Sequence, residues 1–172
     1  MAELWDLYDE ERHPLGITVE RGKHNGSRAW HIVVFAFVRN SRGEILLTLR
    51  DPRKPYFGGQ WEITGGSVLA GETSEQGVLR ELREETGIDH THSKRTFLGT
   101  YHTRWDDGEF GWHGDLDDVW LFEADFPISD VTVQEGETVD ARWATIDEIK
   151  QLTAEGMFAN KKFLPFLFGD KE

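Results

Sequence analysis

Apolar and polar residues alternate through Leu4-Trp5-Asp6-Leu7-Tyr8-Asp9, the rhythm of a strand with one covered face. The turn-prone run Arg12-His13-Pro14-Leu15-Gly16 separates it from Ile17-Thr18-Val19-Glu20, so this opening segment predicts a β-hairpin. Residues 31–38 are almost continuously apolar and predict a buried strand. Asn40-Ser41-Arg42-Gly43 then forms a turn, and residues 44–50 return as a second strand. Residues 51–59, with two prolines and two glycines, predict a loop.

A helix follows. Thr73 with Gln76 three residues later has the form of a capping box, and Gly87 supplies a left-handed stop with Ile88 behind it. Further strands are expected at 95–103, 118–124 and 141–144. A second capping box, Thr145 with Glu148, opens a short helix, and residues 162–168 predict a final helix or packed segment. Strands, helix, strands, helix without repeats or linkers indicates one mixed α/β sandwich, not regular βαβ winding.

Length fits that reading, since 172 residues can bury one continuous core. No apolar run reaches the 18 or so residues that would cross a bilayer. Residues 1–6 show neither a basic stretch nor an apolar segment of a signal peptide, and there is no cysteine, so a cytoplasmic protein is expected. The formal charge of −13 argues against nucleic acid or an anionic membrane as partner. A small anionic substrate is compatible with it only where a bound dication reverses the local field.

Candidate chemistry sits on the first helix. Glu81, Glu84 and Glu85 stand at i, i+3 and i+4, on one face, while Val78, Leu79 and Leu82 lie opposite to pin the helix to the sheet. Three clustered carboxylates repel one another unless a cation neutralises them, and hard oxygen ligands favour Mg²⁺ or Mn²⁺. An acidic helix face is more often merely solvated, so the surroundings decide. Gly66, Glu72 after five intervening residues, and Arg80 after seven more precede Glu81-Leu82-Arg83-Glu84-Glu85-Thr86-Gly87-Ile88. Seven fixed positions at roughly 6% background usage each make a chance match on the order of 10⁻⁹.

That string resembles the Nudix box, and the resemblance to Nudix hydrolases covers residues 30–155, from the strand at 44–50 to the segment Glu137 to Trp143. It implies an α/β/α sandwich with a mixed sheet. Residues 1–28 would then be a hairpin extension of the same domain, and 29–172 the Nudix domain. It further implies Mg²⁺ or Mn²⁺ held by Glu81, Glu84, Glu85 and the carbonyl of Gly65. Glu72 would act through metal-bound water and Arg80 would orient the glutamates. The implied reaction is hydrolysis of a phosphoanhydride bond. Glu137, then Glu135 or an acid of the segment 106–118, is the candidate general base.

The opening hairpin resembles the branch related to isopentenyl diphosphate isomerase, with His24 and His31 spaced like two histidines of its metal site and Asp115, Asp117 and Asp118 near its acids. That isomerase needs a cysteine, whereas Gly65-Gly66 stands here and the box is complete, so isomerisation is not expected. His24 and His31 then become a loop residue and a strand-end residue. Substrate sub-motifs are mostly absent: Thr103 stands where proline would suggest ADP-ribose, Tyr101 comes too early for a dinucleoside polyphosphate signature, and Thr64 replaces the proline of a coenzyme A signature begun by Leu46 to Arg50. The segment 105–114 predicts a recognition loop, where Trp105, Phe110 or Trp112 either stack on a base or cover the core's edge. Arg50, Arg53 and Lys54 either touch phosphates or are solvated. The expected substrate is a nucleoside diphosphate linked to another moiety, or a nucleoside di- or triphosphate, with a homodimer left open. The rival reading is a Nudix-like nucleotide-binding module, which commonly loses box acids, and none is lost here.

Overall fold

The computed structural model of the chain describes residues 2–23, 28–106 and 112–169. In chain order its strands are β1 (Leu4–Tyr8), β2 (Pro14–Glu20), β3 (Trp30–Arg39), β4 (Ile45–Arg50), β5 (Trp61–Glu62), β6 (Thr64–Ser67), β7 (Lys94–Asp106), β8 (Trp112–Glu123) and β9 (Thr138–Ala144). The helices are α1 (Ser74–Thr86), α2 (Ile146–Ala154) and α3 (Leu164–Phe168), the last preceded by a 3-10 turn over Lys161–Phe163.

Strand β3 is the axis of the mixed sheet. It runs parallel to β8 from Trp30 opposite Gly114 to Arg39 opposite Glu123, and antiparallel to β6 on its other side. Strand β4 lies antiparallel between β5 and β9. The expected hairpin is present, Leu4 facing Glu20, and joins β3 where Tyr8 faces Trp30.

Alternation along β3 builds two cores. Ile32, Val34, Ala36 and Val38 pack with Val78 and Leu82 of α1, while Phe37 joins Ile149 of α2 and Phe163 and Leu164 beside α3. Helices thus cover both faces, which is why β3 shows no polar alternation. Both capping boxes form, at Thr73 with Gln76 and at Thr145 with Glu148, and Gly87 ends α1 at φ 72°. Each cap is worth about 1 kcal/mol. Among the described residues no helix is long and apolar enough to cross a membrane.

Three differences from the sequence reading matter for the site. The pair of short strands β5 and β6 was not anticipated. Strand β8 begins at Trp112, well before Asp118, because Asp115, Asp117 and Asp118 are strand residues whose charges meet partners inside the fold. At the two ends of the expected loop at 105–114, residues 105–106 and 112–114 are strand, since the β7–β8 ladder continues to Asp106 opposite Trp112; residues 107–111 lie outside the described residues. Phe110 and His24 lie outside the described residues.

Candidate active site

Strand β6 carries two glycines where side chains approach its backbone closely. A Cβ on Gly66 would lie 2.2 Å from the carboxyl carbon of Glu81, and one on Gly65 would lie 2.5 Å from the ring of Phe35. Gly66 thus lets the Glu81 carboxylate lie directly against the strand backbone, and Gly65 leaves room for the Phe35 ring.

Arg80 gathers the acids around it. Its Nε donates to Glu72 Oε1 at 2.8 Å and its Nη2 to Glu72 Oε2 at 3.0 Å, a two-point fork. Its Nη1 donates to Glu81 Oε1 at 2.6 Å and to Glu84 Oε2 at 3.2 Å, and Nη2 also reaches the carbonyl of Ser67 at 2.9 Å. Burial alone would raise the Glu72 carboxyl, but the bonds from Arg80 and from the Leu69 N–H outweigh it and hold it low. Burial raises Glu81 against the opposing effect of Arg80. Glu84 is half exposed.

Glu85 is the unusual member. Its Oε2 is buried without a hydrogen-bond partner, although other parts of the residue reach the surface. Burial holds its carboxyl well above the ordinary range, and Glu62 and Glu81 push the same way, with Thr64 and Arg50 only partly opposing. Glu62 was not singled out from the sequence. It is 9% exposed on β5, its two oxygens 3.3 and 3.4 Å from Arg50 Nη1. Burial raises its carboxyl too, with Glu137 adding to the effect. The available signal was the alternation Trp61, Glu62, Ile63, Thr64, which places Glu62 and Thr64 on the same side of the chain.

Of the later candidates, Glu137, Lys54 and Arg50 are close enough to act on the Glu62 carboxyl. Glu137 pairs with Lys54 through its carboxylate, and its carbonyl accepts the Asp51 N–H at 2.9 Å. Glu135 is exposed in the turn ahead of β9. Arg50 is engaged by Glu62 and by the Tyr56 carbonyl at 2.8 Å. Arg53 folds back onto Asp51, Nη2 to Oδ2 at 2.5 Å. Trp112 packs edge-on to Trp30 with Arg104 4.3 Å above its ring, covering the core's edge, whereas Trp105 stays 46% exposed and donates to Asp115 at 2.6 Å. His31 is buried, stacked on Trp5 at 4.2 Å, with Nδ1 3.2 Å from Asp115 Oδ1.

This donor set fits a hard divalent cation. It offers carboxylate oxygens, lacks thiolates, and includes one buried oxygen with nothing to bond, an arrangement costly without a proton or a cation. Among the described residues, three acids and histidines bring their ligand atoms within 4.8 Å of one another only at Asp9, Glu11 and His13 in the hairpin turn. The α1 glutamates, of which Glu81 and Glu84 are tied to Arg80, are spread more widely.

The NUDIX domain model matches residues 29–167. A protein of Listeria monocytogenes described as an uncharacterized Nudix hydrolase is 34% identical over 170 residues, 98% of this chain and 95% of its own. An isopentenyl-diphosphate Delta-isomerase of Corynebacterium diphtheriae is 36% identical over 88 residues, 51% of this chain and 48% of that one. In fold, the crystal structure of a Deinococcus radiodurans protein matches with a TM-score of 0.70 at 24% identity, over 90% of this chain and 91% of that one. The box geometry, the domain match and a relative aligned over nearly the whole length agree: the chain belongs to the Nudix family and is a hydrolase.

Proposed function

We propose that this hydrolase cleaves a phosphoanhydride bond in a nucleoside diphosphate linked to another moiety, or in a nucleoside di- or triphosphate, with Mg²⁺ or Mn²⁺. The observation that carries this reading is the buried, unpartnered Oε2 of Glu85 beside Glu81 and Glu62. Glu81, Glu84, Glu85 and the Gly65 carbonyl would hold the cation. When bound, it supplies positive charge to phosphate oxygens and acidifies water. Arg80 fixes the directions of Glu72, Glu81 and Glu84 through the bonds above. Glu72, held ionised by that fork, would accept from water on the cation side. Glu137 would take the proton of the attacking water, with Lys54 holding its carboxylate in place. Arg50 and Lys54 stand beside these acids and could meet the substrate's remaining phosphate charge, and the exposed ring of Trp105 is available to a base. A cytoplasmic setting suits this cysteine-free chain.

The related isomerase chemistry lacks support, because the chain contains no cysteine to act as the acid. The test is a panel of nucleoside di- and triphosphates, dinucleotides and nucleotide sugars, with Mg²⁺ or with chelator, followed by ³¹P NMR in ¹⁸O water. Metal-dependent cleavage with label on one phosphate product is expected. Cleavage unaffected by chelator, or isopentenyl diphosphate isomerised without loss of phosphate, would overturn the reading.

A further inference from the structure

The loop that joins β6 to α1 carries Glu72, and its backbone donors can be accounted for one by one. Val68 N–H donates to the Ile32 carbonyl at 2.9 Å, and Leu69 N–H to Glu72 Oε2 at 2.9 Å. Glu72 N–H closes a turn onto the Leu69 carbonyl at 3.0 Å, and Thr73 N–H donates to Gln76 Oε1 at 2.8 Å. The remaining two leave the loop for the N-terminal hairpin. Ala70 N–H donates to the Leu4 carbonyl at 2.7 Å, and Gly71 N–H to Asp6 Oδ2 at 2.8 Å. The other oxygen of Asp6 accepts from Thr18 Oγ1 on β2 at 2.7 Å, so the carboxylate is clamped from both sides.

From β2 to the helix the connections are continuous: Thr18, Asp6, the Gly71 N–H, then Glu72, and through the Arg80 fork to Glu81 and Glu84. The loop is short and turns at Gly71, where φ is 82°. The hairpin lies outside the matched domain, which starts at residue 29. It therefore supplies something the domain alone does not.

We infer that Asp6 is a positioning residue for the hydrolytic site. Bonded to Gly71, it fixes the loop so that Glu72 meets Arg80 in register, and Arg80 in turn sets the carboxylates of α1. The hairpin is a strap across the catalytic loop, and Asp6 is its clasp. An aspartate suits the task because a charged acceptor bonds an N–H more strongly than a neutral one.

This rests on reading Glu72 and the α1 acids as the metal site, so the experiment includes measurements needing no substrate. Asp6→Ala, Asp6→Asn and a control, Arg21→Ala, are compared as full chains; the control removes the exposed Arg21–Glu3 pair of the same hairpin and the Arg21 guanidinium over the Trp5 ring, and leaves the bonds of Asp6 in place. Three quantities are read: hydrogen exchange of the Gly71 amide, Mn²⁺ affinity by electron paramagnetic resonance, and kcat and KM for the best substrate of the panel. Asp6→Ala should speed Gly71 exchange roughly tenfold, the worth of one charge-assisted bond. It should weaken Mn²⁺ binding by up to about tenfold and lower kcat with KM little changed. Asp6→Asn, whose side-chain oxygen still accepts, should recover most of each loss, and Arg21→Ala should match the parent.

Unchanged Gly71 exchange and Mn²⁺ affinity in Asp6→Ala would overturn the inference, whatever the substrate proves to be. So would equal losses in all three variants, which would mark general loosening of the hairpin. If Mn²⁺ does not bind the parent chain, the metal reading fails instead, while the exchange measurement still judges the clasp.

Discussion

The carboxylate of Glu81 occupies the space a side chain at position 66 would need, 2.2 Å from an ideal Cβ on Gly66. Alanine there must displace Glu81, and the displaced group is the flexible end of a side chain, so the fold should survive. Gly66→Ala is expected to weaken Mn²⁺ binding by roughly 10–100-fold and to lower kcat in step. A Mn²⁺ titration with parallel kinetics checks it. Parent-like affinity would show that Glu81 is not needed where it stands.

The double variant Glu84→Gln, Glu85→Gln keeps shape and removes charge. Turnover should fall at least about 100-fold at saturating Mg²⁺, since two of the proposed ligands go. In chelator the variant should melt no lower than the parent, because clustered acids repel one another when no cation is bound. Thermal melts with and without Mg²⁺ separate the two effects: the cation should raise the melting temperature of the parent but not of the variant.

Glu137→Gln addresses the base. A general base contributes roughly 10²–10⁴ to kcat. That loss is expected with Mn²⁺ affinity unchanged, because the α1 acids remain. Glu135→Gln, in the exposed turn, should leave kcat within about twofold by the same reasoning. The reverse ranking would move the role to Glu135.

His90 sets a pH limit on stability. It is 1% exposed, edge-on to the rings of Phe122 and Phe126, with Nδ1 3.1 Å from Ser93 Oγ and no partner for Nε2. Burial lowers its pKa from 6.5 to about 4, with Asp89 opposing weakly. Between those values the unfolded ring takes up a proton that the folded one refuses, so the unfolded state binds more protons and stability falls as pH is lowered. The loss from this ring reaches about 3 kcal/mol once pH is below both values. Urea midpoints at pH 7.5 and 4.5 should differ more for the parent than for His90→Leu. Equal differences would mean the ring protonates in place.

Helix α1 was legible because its signals are local: a cap, a stop glycine and an acid spacing that all lie within one stretch of chain. Glu62 was not, because a two-residue strand carries too little periodicity, and its importance comes from Glu85 across the sheet. The β8 acids were hidden for a related reason. Asp117 reaches Lys162, 45 positions away, at 2.7 Å, and buried as it is, its pKa still rises to about 6 despite that lysine. A run of aspartates looks like a solvated loop until such distant partners are known. Trp112 could be placed only once Trp30 and Arg104 were seen around it.

Arg12 grips both oxygens of Asp118, at 2.7 and 2.5 Å, across 106 positions of sequence, and Asp118 is fully enclosed in the mature fold. A chain cut at residue 29 would follow the border of the matched domain and still leave that enclosed carboxylate without its guanidinium partner. Among the described side chains, Thr100 would remain to bond it, through a single hydroxyl at 2.8 Å. The border of the matched domain and the border of the bonded structure are then not the same, because Arg12 lies outside the first and inside the second. A shortened chain with Asp118 replaced by an apolar residue is therefore expected to be more stable than one that keeps it.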